Sequence, residues 1–550
     1  MARTHILLFV AILSGNVPPT SGKVADPRGI PTFECVGLYW RPSGGAEDRP
    51  CNAAYRKRGS ARWHNALPLW YDTRNREYRG SVVNLKPNTT YEVRLSLGGV
   101  RKAATFTVAT WTEHPPIART VHLPSGTSRE AYTVARGGTA KGYVLYAPAR
   151  PGGTTIDVGD RSDHCIEVRA SYVIVRGLTL KGARRDGILL RDVHDVLIEN
   201  SDVSGWGRKN KYGFGVNEDA GIKGVGRLER IVIQRNKIHH PRYDSSNWEE
   251  KNVEGSHPGG PKGIVFRENA GNHVIRYNEI TSDEDHCYND GMGHWRNFSR
   301  NGFPGPDTDV YGNLVTNVWD DALEIEGGGR NVRVWGNYVD QTFVGIATAT
   351  CSVGPLYVFR NVMATSRRAP AKANGAGRGV FAKLGDKGSY GVGRQYWFHN
   401  TVLQPTRPGL KMPLGVVTCL SSWGAPFTNT VSHNNIWHTY TNRRGKSISA
   451  GNTSRKNTFD YDLCNNRVVA YAGAEPHGVK GVPTYAPKNG PVSGSGGMYQ
   501  LDRSSRGYDA GVVIPNFNDN HHGAAPDVGA HEAGSPRMEF GVDAYRSAKD

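Results

Sequence analysis

A repeated strand pattern that ends on asparagine is the strongest constraint on the fold of this 550-residue chain. Stretches such as VRVWGNYV and YVFRNVM run through apolar residues to an asparagine and then to another apolar residue. The shortest interval between these asparagines is 24 residues, which suits one turn of a right-handed parallel β-helix. Longer intervals leave room for a loop inserted in one turn. Stacked amides at one angular position would hydrogen-bond along the helix axis. The asparagines of this predicted ladder are Asn200, Asn236, Asn278, Asn313, Asn337, Asn361, Asn400 and Asn434.

A second strand of the same repeat reads GILLR, GIKGV, GIVFR, GMGHW, ALEIE, GIATA, GVFAK and GVVTC. Its second position is always apolar, so the second and fourth positions face the interior and the third and fifth face outward. This register points His294 inward, where a satisfied core histidine is the more frequent outcome. The outward polar and aromatic positions are Arg191, Lys223, Arg267, Trp295, Glu324, Glu326 and Lys383.

Four carboxylates crowd one short stretch, WDDALEIEGGGR, and the preceding coil carries Asn289 and Asp290 before its own strand. Successive coils lie about 4.8 Å apart, so these groups face one another. Carboxylates this close repel unless a metal, a proton or a basic neighbour is shared among them. The sequence therefore predicts a shared site on this face. Its carboxylates are Asp290, Asp320, Asp321, Glu324 and Glu326.

Composition favours an exported β-rich protein with an anionic partner. The chain has 68 glycines, 37% hydrophobic residues and a formal net charge of +18. For an exported protein this charge favours an acidic polysaccharide over nucleic acid as the partner. The sequence lacks zinc-finger spacing, a phosphate-cradling GxxxxGK[ST] motif and GxSxG.

The first 22 residues, MARTHILLFVAILSGNVPPTSG, predict a signal peptide whose apolar run is too short to span a bilayer. No later stretch predicts a membrane span, so we expect a secreted or periplasmic protein, and a monomer. Seven cysteines leave at least one unpaired, and Cys35–Cys51 is the favoured disulfide. Cys287, Cys351 and Cys419 are expected to fill core positions.

The predicted fold class is all-β, with a small β-sandwich before the β-helix. LKPNTTYEVRL, from Leu85 to Leu95, resembles a late strand of fibronectin type III modules, and Trp40 would be the buried tryptophan of an early strand. The predicted domains are the sandwich at 28–112, the β-helix at 120–480 and a closing segment at 481–550. The segment from Asp509 to Glu532 is similar to the closing segments of many exported β-helix proteins.

Glu324-Ile325-Glu326, with Asn289 or Asp290 one coil below, resembles the calcium-dependent β-helix lyases of the alginate lyase and chondroitinase B group. The resemblance implies Ca²⁺ bound by Asn289, Glu324 and Glu326, and a uronate polymer cut by β-elimination. It implies a catalytic set of Arg330, the basic residue after the strand, with Arg267, Asp321, Asp290 and His294. The expected substrate-binding residues are Lys223, Trp295, Lys383 and Arg191. The group's Arg-His-Gly acid is absent from GIATATC, and Arg330 replaces lysine as the base.

Three other functions remain open. Pectin-type β-helix hydrolases also use paired aspartates, for which Asp290, Asp320 and Asp321 are candidates. Gly293-His294-Trp295 does not reproduce their Gly-His-Gly, however. A uronan C5-epimerase shares the first chemical step of a lyase. A non-catalytic glycan-binding protein would carry Glu324 and Glu326 as a solvated surface.

Overall fold

The computed structural model of the chain describes residues 25–248, 250, 257–294, 299–349, 351, 353–367, 379–386, 391–404, 416–422, 425–439, 445–451, 456–486 and 496–546. The predicted signal peptide and Trp295 lie outside these residues. The first described residues form seven antiparallel strands in the order β1-β2-β5-β4-β3-β6-β7. These strands are β1 Ala25–Pro31, β2 Val36–Arg41, β3 Cys51–Lys57, β4 His64–Asp72, β5 Glu77–Val82, β6 Thr90–Leu97 and β7 Ala104–Ala109.

The N-terminal strands enclose a small core of their own. Strand β6 alternates half-buried and buried residues, as expected for a strand with one face on a core. Trp40 and Tyr91 lie in that core, and the Tyr91 hydroxyl accepts a hydrogen bond of 2.9 Å from the Lys86 backbone N–H. This unit is the predicted small β-sandwich.

The described residues from Ile117 to Lys480 form a right-handed parallel β-helix whose coils stack through parallel strand pairs. One face is a sheet of twelve strands. Its strands are β8 Ile117–Leu123, β11 Tyr143–Pro148, β14 Val173–Arg176, β17 His194–Glu199, β20 Glu229–Gln234, β23 Val274–Arg276, β25 Asp309–Tyr311, β27 Val332–Trp335, β29 Leu356–Phe359, β32 Gln395–Phe398, β35 Thr430–His433 and β38 Thr458–Asp460.

A second face begins as a five-stranded sheet. Its strands are β10 Tyr132–Val134, β13 His164–Val168, β16 Asp186–Arg191, β19 Ala220–Val225 and β22 Lys262–Phe266. The third face continues into the second through two long strands, β26 Leu314–Glu324 and β28 Tyr338–Thr348. The other strands of this continuous set are β9 Gly126–Ser128, β12 Thr154–Asp157, β15 Thr179–Lys181, β18 Asp202–Ser204, β21 Lys237–His239, β24 Glu279–Thr281, β30 Val362–Met363, β31 Val380–Leu384, β33 Thr401–Val402, β34 Thr418–Ser422, β36 Ile436–Trp437, β37 Lys446–Ser449, β39 Leu463–Cys464, β40 Arg467–Val469 and β41 Val479–Lys480. A final pair is β42 Gly496–Gly497 and β43 Met538–Glu539.

The asparagine ladder is confirmed through the middle of the helix. The Asn337 Oδ1 accepts hydrogen bonds from the Asn313 backbone N–H and Nδ2, at 3.1 and 2.9 Å, and Asn361 does the same for Asn337. Each Nδ2 also donates to a backbone carbonyl, so the buried amide is well satisfied. The full ladder consists of Asn236, Asn278, Asn313, Asn337, Asn361, Asn400, Asn435 and Asp462.

The two ends of the predicted ladder were wrong by one residue. Asn200 and Asn434 have positive φ values of 51° and 61°, because the residue before each ladder position makes the left-handed turn out of the strand. Ser201 and Asn435 take the ladder positions instead, and the Ser201 N–H donates to Asn236. Asparagine tolerates the left-handed conformation well, so sequence alone does not separate the two positions.

The register of the last second-face coils also differs from the prediction. Val380 pairs with Val344 rather than Ile346, so Lys383 lies beside Ala347, which lies beside Glu324.

The predicted Cys35–Cys51 disulfide is wrong, since all seven cysteines are free and buried. Cys35 packs on the outside of the twelve-stranded sheet, whereas Cys51 lies in the sandwich core. Among the described residues, no helix is long and apolar enough to cross a bilayer.

The sandwich and the last described residues both pack on the outside of the coils. The Tyr39 hydroxyl donates to Asp307 at 2.7 Å, and Asn516 accepts from the Val83 N–H at 2.7 Å. Beneath this contact the Arg333 Nε donates to Asp309 at 2.6 Å, with both side chains fully buried. These contacts bury Asp307, Asp309 and Arg333 between the sandwich and the coils.

Candidate functional site

One column of side chains, at the start of the second-face segment of each coil, builds the floor of the site. The strand pairings put Ala220 beside Lys262, Ile264 beside Met292, and Met292 beside Leu323. The aligned apolar residues are Ile188, Ile222, Ile264, Met292 and Leu323. The residues two positions before them therefore form a continuous column along the helix axis. Its members are Asp186, Ala220, Lys262, Asp290 and Asp321. The Asp321 N–H donates to the Asp290 carboxylate below it at 3.0 Å.

The predicted carboxylates converge into two overlapping groups. The first is Asp290, Asp320 and Asp321, and the second is Asp321, Glu324 and Glu326. Within each group, carboxylate oxygens lie within 4.8 Å of one another. All five side chains are buried, so Glu324 and Glu326 are not a solvated surface. Gly293 makes room for Glu324, because a Cβ at that position would lie 2.5 Å from the Glu324 Cβ.

Two lysines supply positive charge to these carboxylates. The Lys383 Nζ lies 2.6 Å from Asp321 Oδ2 and 3.1 Å from Glu326 Oε1. The Lys262 Nζ lies 2.7 Å from Asp290 Oδ2, 2.9 Å from Glu218 Oε1 and 3.5 Å from Glu324 Oε2. The Lys262 side chain is 1% exposed, whereas that of Lys383 is 11% exposed. Lys383 is thus the more exposed of the two side chains.

The histidines lie on opposite sides of the lysines. His294 is buried, but it faces the polar network rather than the apolar interior, with its Nε2 3.4 Å from Glu218 Oε2. Half-exposed His257 places its Nε2 3.3 Å from Asp320 Oδ2. Its Nδ1 lies 2.8 Å from the Pro258 carbonyl, so that nitrogen carries a proton.

The positions of several predicted residues differ from expectation. Arg330 lies over the Tyr39 ring of the sandwich, 5.5 Å from its centroid, and not against Glu324 or Glu326. Arg267 is exposed and lines a small cavity with His294, and within the described part of the chain it makes no ion pair. Arg191 is ion-paired with Glu167 at 2.8 Å. Lys223 is buried, 3.6 Å from Asp186, so the structure places neither residue among the clustered carboxylates.

Lys262, Glu218 and His257 escaped the sequence prediction. The signal for Lys262 was present, since it precedes Gly263 as Asp290 precedes Gly291, in the same column. Glu218 and His257 come from loops between coils, whose paths the repeat does not determine. Asn289, the predicted ligand next to Asp290, is buried, and its Nδ2 has no hydrogen-bond partner in the described structure.

Burial and mutual repulsion hold protons on the cluster. Burial, with the charge of Asp321, raises the pKa of Asp320 well above its usual range, and burial likewise raises the pKa of Glu324. The pKa of Asp321 rises to about 7 because burial and the neighbouring carboxylates outweigh Lys383. Burial opposes ionisation of Glu218, but Lys262 and His294 hold its pKa below the usual value. The two lysines alone do not balance the negative charge of the group.

The side chains present fit a hard divalent cation. Carboxylate oxygens are the ligands that Ca²⁺ prefers, and five carboxylates supply them here. The Asp321 Oδ1 is buried and has no hydrogen-bond donor within the described residues. Such an orphaned oxygen costs free energy unless a cation or a proton satisfies it. Ca²⁺ would therefore be held by Asp321 with either Asp290 and Asp320 or Glu324 and Glu326.

A family model described as "Right handed beta helix region" matches residues 164–361. The sequence has no significant match among curated proteins. Among solved structures, pectate lyase Pel9A is similar at 13% identity and a TM-score of 0.37, over 77% of this chain and 91% of that one. The Dettilon tailspike protein (gp208) is similar at 14% identity and a TM-score of 0.30, over 61% and 60%. The catalytic unit of the GH87 α-1,3-glucanase from Streptomyces thermodiastaticus has 9% identity and a TM-score of 0.28, over 74% and 87%. The family match and the coils themselves establish the β-helix fold.

Proposed function

We propose that the protein is an exported polysaccharide lyase that cleaves an anionic, uronate-containing polymer by β-elimination. One observation carries the proposal: the Lys383 amine lies 2.6 Å from Asp321 and 3.1 Å from Glu326, two members of a carboxylate group that could hold Ca²⁺. The net charge of +18 suits an anionic polymer, and the predicted signal peptide supports secretion or export to the periplasm.

β-Elimination needs a base at C5 of the uronate and neutralisation of the adjacent carboxylate. The base removes the C5 proton, a C4–C5 double bond forms, and the C4–O4 bond breaks. The leaving O4 takes a proton from water. In this proposal Lys383 accepts the C5 proton at Nζ.

Lys383 replaces Arg330 as the proposed base for two reasons. Arg330 is held by the sandwich, and an arginine keeps its proton much more firmly than a lysine does. Lys262 is excluded as the base because three carboxylates surround its fully buried amine. The carboxylates around Lys383 also raise its pKa, so it must lose its proton before it acts.

Lys383 loses its proton more easily if the clustered carboxylates hold a cation. Bound Ca²⁺ would neutralise Asp321 and Glu326 and the substrate carboxylate, which favours both the neutral amine and the acidic C5 proton. Asp321 and Glu326 then position the Lys383 side chain, and Lys262 holds Asp290 and Glu324 in place.

A glycoside hydrolase is the second candidate, and the pKa values favour it specifically. Inverting and retaining hydrolases need one protonated and one ionised carboxyl group. Asp320 and Glu324 have raised pKa values, whereas Lys262 and His294 keep Glu218 ionised in the same network. A C5-epimerase would use the same proton abstraction without chain cleavage.

The test is incubation of the protein with galacturonan, alginate and glycosaminoglycan polymers while the ultraviolet absorbance of the unsaturated uronate is recorded. We expect absorbance to rise with one of these polymers, to stop with a calcium chelator and to return with added Ca²⁺. Lys383→Met should lower the rate by at least about 10²-fold, the usual contribution of a general base. Lys181→Met, which removes an exposed lysine elsewhere, is the matched control and should keep full activity.

Two outcomes would redirect the assignment. Reducing ends released without the ultraviolet signal, and without sensitivity to chelation, would indicate the hydrolase. Exchange of the C5 hydrogen with solvent at constant polymer length would indicate the epimerase. Full activity of Lys383→Met, with an unchanged unfolding temperature, would remove Lys383 from the mechanism.

A further inference from the structure

A second polar cleft lies away from the carboxylate site, at the corner between the twelve-stranded sheet and the third face. Its volume is about 640 Å³. Turns of four coils line it together with the end of the chain. These lining segments are 147–152, 176–179 and 200–202, with residues 235, 237, 542, 543 and 546.

Five cationic side chains line the cleft, and the described acidic residues in its lining are Asp202 and Asp543. Arg176 is ion-paired with Glu199 at 2.5 Å, so its charge is largely neutralised. Asp202 is engaged by His239 at 3.1 Å. The cleft therefore keeps an excess of positive charge. Its cations are Arg150, Arg176, Arg235, Lys237 and Arg546.

Two guanidinium groups from distant parts of the sequence meet at one carbonyl. The Arg235 Nη1 and the Arg546 Nε both donate to the Val542 carbonyl, at 2.8 and 2.9 Å. Like charges held this close repel unless an anion lies between them or beside them. Arg546 is paired with Asp543 at 3.8 Å, whose carboxylate is largely exposed, and it donates to Asn200 at 3.0 Å. Burial and the charge of Arg546 lower the pKa of Arg235, which also donates to the Ala544 carbonyl at 2.9 Å.

Arg150 and Lys237 extend this charge across the cleft. Both are exposed, and within the described structure neither makes an ion pair or a side-chain hydrogen bond. They lie on different coils, so the unpaired cations are distributed along the helix axis rather than at a single point. A linear polymer with repeated carboxylates matches this arrangement better than a small anion does, because several of its charges are met at once.

We propose that this cleft is a non-catalytic binding site for a carboxylated polysaccharide. Arg235 and Arg546 hold one carboxylate, and Arg150 and Lys237 contact its neighbours along the chain. The identity of the polymer as the enzyme's substrate rests on the proposed function, whereas the anion-binding role of the cleft does not. A second site of this kind raises the local concentration of polymer near the catalytic face.

The test is binding of polygalacturonate and alginate at low salt to protein carrying Lys383→Met, which prevents turnover by the proposed base. Arg150→Ala with Lys237→Ala in that background should weaken binding about tenfold, since each exposed charge contributes modestly. The matched control is Arg101→Ala with Lys102→Ala, which removes the same charge from the exposed β6–β7 turn. The control should bind normally, and neutral dextran should bind to none of these proteins.

Equal binding by the cleft variant and the control would overturn the proposal, as would a lack of binding to either acidic polymer. The result is separable from the proposed function. If the wild-type protein cleaves no uronate polymer but binding still depends on Arg150 and Lys237, the lyase assignment fails and the binding site stands.

Discussion

At the scale of single residues, the sequence predicted which carboxylates gather but not which lysines contact them. Period-two alternation and the coil spacing bring Asp290, Asp321 and Glu324 together, and the structure confirms it. Arg330 does not join them, because the turn after the strand places it over the Tyr39 ring of the sandwich. No local pattern in the sequence encodes that distant contact.

Asp321 belongs to both carboxylate groups, so its substitution tests the cation site most sharply. Asp321→Asn keeps the shape of the side chain but removes one charged ligand, and we expect Ca²⁺ affinity to fall by about 10²-fold. Isothermal titration calorimetry of the metal-free protein measures this change without reference to any substrate.

Asp186→Asn is the matched control for that titration. Asp186 is also buried, lies in the same column and contacts a lysine, but it belongs to neither carboxylate group. Its substitution should leave Ca²⁺ affinity unchanged. If both variants bind Ca²⁺ as the wild type does, the cluster is held by protons and lysines rather than by a cation.

At the scale of elements, the repeat predicted the strands and most of the ladder. It failed where two residues compete for one position, as at Asn434 and Asn435, and where a coil shifts by two residues, as at Val380. That shift preserves the outward direction of Lys383 but moves it along the strand toward Asp321. The hydrophobic pattern determines which residues of a strand face outward. The pairing register between coils depends instead on the loop before each strand.

The ladder should contribute strongly to stability. Asn337→Val removes the acceptor of two Asn313 donors, so the Asn313 backbone N–H is left buried without a partner while its Nδ2 keeps only the backbone carbonyls. An unsatisfied buried donor costs about 1–3 kcal/mol, so the free energy of unfolding should fall by roughly 3 kcal/mol or more. Urea denaturation followed by circular dichroism measures this change.

Asn200→Gly provides the control for the ladder, because glycine keeps the positive φ of a residue outside the stack. Its effect should stay within about 0.5 kcal/mol, as for most surface substitutions. Equal losses from the two substitutions would show that the amide stack contributes little beyond the turn.

At the scale of the whole molecule, the sequence predicted the order of sandwich, helix and closing segment but not their contacts. The sandwich and the tail share the outside of the twelve-stranded sheet, where Cys35 packs beside Phe517. This separates Cys35 from Cys51 and accounts for the failed disulfide prediction. The carboxylate site and the cationic cleft share no residue.

The most direct test of the lyase assignment is the mass of the fragments that wild-type protein releases from a defined uronate oligosaccharide. Elimination breaks the C4–O4 bond without adding water across the linkage, so the two fragment masses should sum to that of the substrate, and Lys383→Met should release neither fragment. Fragments whose masses sum to the substrate plus one water would contradict β-elimination and identify the carboxylate cluster as a hydrolytic site.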